Sequence, residues 1–287
     1  MKLVIFGLGY SAEYFARTRR AGVFTTATVT SPEKAGRLTR DGLEVLVFSP
    51  DARDPRLEER VAGADALLVS VPPGKSGDPV LAALGEEIAR ARNIRRIVYL
   101  STIGVYGDHF GAWVDETSRC KPVNERSLWR LEAENAWRAA GASSGASVHV
   151  LRLAGIYGPG QNALVNLKNG TARRIVKPGQ VFNRVHVEDI ARAIDACLVH
   201  DGGGVWNVCD DEPAPADDVV TFAAGLLGIE PPPLVRFEEA NMSPMARSFY
   251  SETKRASNRA MKQKLGVAVA YPTYREGLRA LVARDGA

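Results

Sequence analysis

Met1-Lys2-Leu3-Val4-Ile5-Phe6-Gly7-Leu8-Gly9-Tyr10-Ser11-Ala12 opens the chain with an apolar run, a glycine-rich turn and the start of an amphipathic stretch. The run is short and continuous rather than alternating, which predicts a strand covered on both faces. Outward from this unit the same rhythm repeats over the next 140 or so residues. Further strands are expected at 27–29, 44–48, 66–71, 96–101 and 147–152, with helices at 11–20, 33–41, 55–61, 79–91 and 125–140. Buried strands alternating with helices predict an α/β fold built on a doubly wound parallel sheet with right-handed crossovers.

The second half breaks this rhythm. Residues 155–179 are loop-rich, with Gly158-Pro159-Gly160 and Lys177-Pro178-Gly179 as turn signals. A strand running into a helix is expected over 183–196, another strand over 204–209 and a helix over 213–227. Pro231-Pro232-Pro233 then interrupts the chain before a last helix at 274–283. The expected organisation is a first domain over 1–154 to which 182–211 return, with a smaller C-terminal α+β lobe from 155–181 and 212–287.

Composition narrows the class. The 287 residues are 45% hydrophobic and 24% charged, as in an ordinary globular protein. No apolar run approaches the roughly 18 residues of a membrane span, so no membrane partner is expected. The N-terminal run meets a glycine turn rather than a small-residue cleavage site, and reads as a strand. Cys120, Cys197 and Cys209 form no close pair, which fits a reducing, cytoplasmic setting. The net charge of +4 is modest. Its clusters, Arg17, Arg19 and Arg20, then Arg90, Arg92, Arg95 and Arg96, fit solvated helix faces, so no nucleic-acid partner is expected. Neither His-x-x-x-His nor Cys-x-x-Cys spacing occurs to suggest a metal, and the G-x-S-x-G hydrolase turn is absent.

Gly7-Leu8-Gly9-Tyr10-Ser11-Ala12 matches the dinucleotide-binding pattern G-x-G-x-x-G/A in its proper context, directly after a strand and opening a helix. Gly7 makes the tight turn, Gly9 lets the backbone approach a pyrophosphate, and Ala12 allows close helix–strand packing. The helix N-terminus offers free N–H donors to the anion. The fold expected is therefore a Rossmann-type sheet that binds NADP or NAD. An NAD site would place Asp or Glu after the second strand to bind the ribose hydroxyls. Here that segment reads Thr28-Val29-Thr30-Ser31-Pro32-Glu33-Lys34, with Arg37 following. Hydroxyls at Thr30 and Ser31 beside Lys34 suit a 2′-phosphate and favour NADP, although Glu33 leaves NAD open. After the fourth strand, Ser70-Val71-Pro72 brings small or kinked residues beside the expected adenosine half.

Several segments resemble the extended short-chain dehydrogenase/reductases, the family of nucleotide-sugar epimerases and dehydratases. Ser101-Thr102-Ile103-Gly104-Val105-Tyr106-Gly107 is similar to their S-x-x-V-Y-G strand end. Arg152-Leu153-Ala154-Gly155-Ile156-Tyr157-Gly158-Pro159-Gly160 resembles their R-x-x-x-(I/V)-Y-G-P-G loop. His186-Val187-Glu188-Asp189-Ile190-Ala191 resembles (Y/H)-V-x-D-(I/V)-A, and the segment from Lys254 to Leu278 resembles the family's closing pattern. The glycine loop departs from the usual G-x-x-G-x-x-G. Where the family has Tyr-x-x-x-Lys, this chain carries Arg126 and Arg130. The likeness is therefore to an atypical, epimerase/dehydratase-like subgroup.

That resemblance implies that Thr102 holds a substrate oxygen, that Ser101 lies beside the nicotinamide and that Arg130 reaches the cofactor ribose. It also implies a homodimer through helices 79–91 and 125–140. A guanidinium cannot carry the reaction's proton, so Tyr106, four residues beyond Thr102, is the remaining acid–base candidate, and its opposing reading is structural packing, as for the same tyrosine in related enzymes. The opposing reading for the arginines is a solvated helix face with Glu132 and Glu134 as partners. His186 reads as a satisfied structural histidine, and His109 as a group in a loop able to cap a pocket. Two functions follow: an NAD(P)-dependent oxidoreductase or epimerase/dehydratase-like enzyme on a nucleotide-sugar or small carbonyl/alcohol substrate, or a non-catalytic NAD(P)-binding sensor or structural partner.

Overall fold

Leu3 and Ile5 enter one buried cluster and Val4 and Phe6 another. An extended chain sends neighbouring side chains to opposite faces, so an all-apolar strand has to be covered on both sides. A computed structural model of the chain describes residues 1–18, 21–49 and 52–285. Its first half runs β1 (Lys2–Phe6), α1 (Tyr10–Thr18), β2 (Phe24–Val29), α2 (Pro32–Arg40), β3 (Glu44–Val47), α3 (Arg56–Ala62), β4 (Ala66–Val69) and α4 (Pro79–Arg90). It continues through β5 (Arg96–Thr102), a 3-10 turn (Ile103–Tyr106), the short β6 (Trp113–Val114), α5 (Glu125–Ser144) and β7 (Ser147–Leu153). Arg19 and Arg20, expected at the end of the first helix, lie outside the described residues.

The remainder holds β8 (Gly155–Tyr157), α6 (Ala163–Lys168), β9 (Arg174–Val176), β10 (Arg184–His186), α7 (Val187–Cys197) and β11 (Gly204–Val208). Then come α8 (Ala216–Leu227), β12 (Leu234–Arg236), α9 (Pro244–Ser248), β13 (Arg255–Ala256), α10 (Arg259–Gln263) and α11 (Tyr274–Asp285). Seven strands form one sheet in the order β11-β7-β5-β4-β1-β2-β3, and every neighbouring pair is parallel. Residues of α1, α2 and α7 share a cluster with one face of the sheet, and residues of α3, α4 and α5 with the other. This is the expected Rossmann-type architecture. Among the described residues no helix is long and apolar enough to cross a membrane.

Local chemistry sets the helix starts. Ser31 caps α2 by accepting the Lys34 amide, with Pro32 pre-set for the first turn. Asp78 caps α4 by accepting the amides of Val80 and Leu81, and its second oxygen accepts the Trp137 indole N–H of α5 at 2.9 Å. One carboxylate thus starts one helix and fastens the next to it.

The expected strand near residue 183 forms as β10 but does not join the main sheet; it pairs with β8. Two further short pairs, β12 with β9 and β13 with β6, escape pattern reading because two or three residues carry no measurable period. A separate apolar cluster joins Leu164 and Leu167 of α6, Ala223 and Ala224 of α8, and Leu278 and Leu281 of α11.

Beneath the carboxyl edge of the sheet lies a buried ionic network. Glu134 of α5 is fully buried and pairs with Arg152 of β7 at 2.7 Å. The Ser101 hydroxyl of β5 donates to the same carboxylate at 2.5 Å. The Arg152 guanidinium lies 4.8 Å from the centre of the Tyr106 ring, and the Tyr106 hydroxyl donates to Asn207 of β11 at 2.7 Å. Three adjacent strands and one helix are therefore joined through polar groups shielded from water. Glu134 is not a partner on a solvated helix face, as the sequence suggested, because it stands in the buried stripe Ala133, Trp137 and Gly141. Losing one member of a buried ion pair costs about 3–5 kcal/mol. Glu134→Gln, which keeps the shape and removes the charge, should lower stability by an amount of that order in urea melts followed by circular dichroism. An unchanged midpoint would show that Arg152 does not depend on this carboxylate.

Candidate functional site

The winding of the sheet reverses between β1 and β4, since connections from β1 run outward through β2 to β3 and those from β4 outward through β5 and β7. Ligands of open α/β sheets bind outside the carboxyl ends of the strands at such a reversal. A groove of about 380 Å³ lies there, lined by Gly7, Leu8, Gly9, Thr28, Val29, Thr30, Lys34, Phe48, Ser49, Ser70, Val71, Pro72 and Pro79. Of the expected cofactor residues it brings together Gly7, Leu8, Gly9, Thr30, Lys34, Ser70, Val71 and Pro72.

The loop has a defined job for each glycine. Gly7 has φ +85°, and a Cβ there would lie 2.9 Å from Val71 Cγ2. At Gly9 a Cβ would meet nothing within 4 Å, so the missing side chain leaves room on the groove side rather than on the protein side. The Gly7 amide donates to the Thr28 hydroxyl, the Leu8 amide to the Thr28 carbonyl, and the Gly9 amide to the Gly7 carbonyl. These bonds fix the turn. The donors that helix geometry leaves without an intrahelical acceptor are the first-turn amides of α1, at Tyr10, Ser11 and Ala12. They meet the need of a pyrophosphate, and the groove lining fits the adenosine half of a dinucleotide.

The other expected cofactor residues lie outside the groove lining, and Lys34 within it is held by the glycine loop. The Ser11 and Ala12 side chains are buried, so only their amides are available. Tyr10 donates its hydroxyl to the Pro159 carbonyl at 3.0 Å, tying the start of α1 to the Gly158-Pro159 loop. Ser31 is committed to its cap. Lys34 Nζ donates to the Leu8 carbonyl at 2.8 Å, which holds a cation over the glycine loop. Ser101 is turned inward to Glu134. Arg130 donates to the Leu100 carbonyl at 2.9 Å and to the Tyr99 hydroxyl at 3.3 Å, fastening α5 to the end of β5. Ser101 and Arg130 line neither cavity.

A larger cleft of about 990 Å³ opens at the same edge of the sheet. Thr102, Ile103 and Gly104 form one part of its wall, Asn124 to Ser127 of the α5 start a second, and segments 153–157 and 181–184 a third. Met245, Phe249, Glu252 and Lys254 close it. Thr102 Oγ1 accepts the Gly104 amide at 3.1 Å, which leaves its own proton free to donate. Arg126 is exposed on this wall, and its contact is with the Met245 sulfur at 3.8 Å.

Tyr106 does not belong to the cleft. It is fully buried, its hydroxyl is held by Asn207, and burial pushes its phenol up to about 12. That placement corrects the acid–base expectation for Tyr106: the hydroxyl meets neither cavity. His109 bonds the Arg119 carbonyl and also lies outside the cleft lining. His186 is a structural cap, its Nδ1 accepting the Glu188 amide while burial lowers its pKa to about 4.

Sequence reasoning missed three charged residues of the cleft. Lys254 is buried and donates to Glu252 at 2.8 Å and to the Gly107 carbonyl at 2.9 Å. Glu252 Oε2 has no hydrogen-bond partner although it is buried. Arg184 stands on β10 at the cleft floor. No local pattern marks Glu252, and the resemblance that begins at Lys254 says nothing of a cleft; these residues meet the sheet edge only through the three-dimensional path of the second half. Among the described residues no group of side chains is arranged to hold a metal ion.

The comparisons agree with this geometry. An epimerase family model described as "NAD dependent epimerase/dehydratase family" matches residues 84–209. Protein YeeZ of Escherichia coli (strain K12) is 30% identical over 253 residues, which cover 80% of this chain and 85% of YeeZ. A solved structure described as a functionally unknown conserved protein from Silicibacter pomeroyi DSS is 46% identical, covers 100% of this chain and 99% of its own, and has a TM-score of 0.89. The structure of MoeE5 in complex with UDP-glucuronic acid and NAD covers 100% of both chains with a TM-score of 0.77 at 19% identity, a likeness of fold. The glycine loop at the winding reversal, the parallel sheet and these relatives lead to one conclusion: the chain belongs to the NAD dependent epimerase/dehydratase family.

Proposed function

We propose that the protein binds a nicotinamide dinucleotide in the groove at Gly7 and Gly9 and acts on a nucleotide-sugar or small carbonyl/alcohol substrate in the adjoining cleft, as an oxidoreductase or epimerase/dehydratase-like enzyme. The observation that carries this reading is the placement of both cavities at one sheet edge, with Gly9 leaving open space against the first turn of α1. The division into a cofactor domain and a C-terminal lobe over 155–181 and 212–287 belongs to the same proposal, supported by the separate cluster of α6, α8 and α11. So does a homodimer through α4 and α5, on which Leu128 is 44% exposed.

Within that site the chain's residues divide the work. The first-turn amides of α1 bind the pyrophosphate, and Lys34 with the exposed Thr30 receives a ribose 2′-phosphate, which favours NADP. No carboxylate lines the groove among the described residues. When bound, the nicotinamide supplies a hydride donor or acceptor. Thr102 donates its hydroxyl proton to the substrate oxygen. Proton transfer needs a titratable group in the cleft, and Glu252, paired with Lys254, is a carboxylate of its lining. A second reading, a cofactor-binding sensor without turnover, is favoured by one fact: the cleft wall carries Arg126 where the family resemblance implies tyrosine.

Two measurements test these readings. In titrations followed by tryptophan fluorescence, NADPH should bind more tightly than NADH, and Lys34→Ala should narrow the difference. Gly9→Ala should keep the wild-type melting temperature and weaken NADPH by about tenfold or more, equivalent to roughly 1.4 kcal/mol; Gly7→Ala should lose stability as well. Equal binding by wild type and Gly9→Ala would remove the groove from the account. For turnover, transfer of label from the 4-position of NADPH to a panel of nucleotide-sugars and small ketones marks an enzyme. Epimerisation or dehydration, which consumes no net hydride, is read instead as conversion of a nucleotide-sugar with the oxidised cofactor. Tight cofactor binding with neither transfer nor conversion leaves the sensor.

A further inference from the structure

Polar side chains line the cleft, but most of them are already engaged by the protein. Asn183 donates to the Lys254 carbonyl at 3.0 Å and accepts the Ala256 amide at 2.7 Å. Lys254 donates to the Gly107 carbonyl and to Glu252 Oε1, and the second Glu252 oxygen is closed off from water. Arg184 donates to the Phe182 and Ala214 carbonyls, lies 5.8 Å from the centre of the Tyr274 ring and interacts with Asp210 and Glu212. Asn124 Oδ1 accepts the Ser127 amide. Glu125 and Arg126 are exposed and opposite in charge. The remaining wall includes Ile103, Leu153, Ile156, Val181, Phe182 and Phe249.

Two hydroxyls are the exception. Thr102 Oγ1 accepts the Gly104 amide and keeps its proton for a ligand, and Ser127 Oγ forms no hydrogen bond with the described residues. A Cβ built on Gly104 would lie 3.0 Å from Ser127 Oγ and 3.3 Å from Thr102 Oγ1. The glycine thus keeps a gap between the two hydroxyls, and all three residues line the cleft. An oxygen placed there is within reach of both donors.

We propose that the cleft takes a substrate with an apolar body and a single oxygen function, an aryl or alicyclic ketone, aldehyde or matching alcohol, and that Ser127 holds this oxygen together with Thr102. The inference rests on the reading of the cleft as the substrate site. It deepens that reading by choosing the carbonyl/alcohol class over the nucleotide-sugar. The hydroxyls and diphosphate of a nucleotide-sugar would leave water for groups whose hydrogen bonds are already made, a loss that nothing in the cleft offsets. An apolar body gains by leaving water, and its one oxygen meets two donors at the gap beside Gly104.

The test uses the full-length protein with and without saturating oxidised NADP, a form to which a ketone cannot transfer hydride. A missing NADP response strikes the groove alone, since every probe is also titrated without it. The probes are 1-tetralone, tetralin as the same rings without the oxygen, and UDP-glucose, each followed by isothermal titration calorimetry. Tetralone should bind at least about tenfold more tightly than either of the others. Ser127→Ala should lower tetralone affinity about tenfold while leaving tetralin and NADP affinity as in wild type, a split that a merely structural serine would not produce. Ser127→Thr, which restores a hydroxyl, should recover part of the loss. Gly104→Ala, which fills the gap, should weaken tetralone as well. UDP-glucose binding more tightly than tetralone, no tetralone binding at all, or equal tetralone affinity in wild type and Ser127→Ala overturns the proposal.

Discussion

The carboxylate of Glu134 reaches the interior only because two groups meet it there, the Arg152 guanidinium and the Ser101 hydroxyl. A buried charge is tolerated when it is paired and fully hydrogen-bonded. Satisfying this one fixes the distance of α5 from β5 and β7 at the edge where both cavities open. From Arg152 the constraint passes through the Tyr106 ring to Asn207, whose amide donates to Glu116 at 2.7 Å. The edge strand β11 and the loop after the 3-10 turn are thereby drawn into the same network. The cleft wall at Thr102 and the start of α5 stand on a layer that is ionic rather than merely apolar.

That layer also decides which polar residues remain for chemistry. Ser101 and Tyr106 belong to the support, and Arg130 to the joint between α5 and β5. Thr102, Glu252 and Arg184 face the cleft, alongside the exposed Arg126. The two cavities share a sheet edge but have different characters. The groove at Gly7 is built from backbone and one lysine, whereas the cleft is built from side chains contributed by distant segments.

This difference sets what was legible in the sequence. The groove comes from a contiguous turn, so Gly7, Leu8 and Gly9 could be placed from spacing alone, and strand β1 from its unbroken apolar run. Lys34 was readable because it follows β2 at a short fixed distance. Glu134 was misread as solvated, although its three-residue spacing from Trp137 and seven-residue spacing from Gly141 place it on the buried stripe of α5. Tyr106 was read by its distance from Thr102 along the chain, but the intervening 3-10 turn carries the ring beneath the sheet edge. Glu252 had no local signal, and neither Arg184 nor Lys254, which opens the closing pattern, showed any sign of the cleft, because strands of two or three residues bring these segments there.

Amide hydrogen exchange with and without NADPH tests the central claim most directly, that the winding reversal at Gly7 and Gly9 holds a dinucleotide against α1. The account predicts slower exchange on NADPH addition at the first-turn amides of Tyr10, Ser11 and Ala12 and in segments 30–34 and 70–71, with little change in α8 and α11. Protection confined to the C-terminal elements, or none at saturating NADPH, would contradict it.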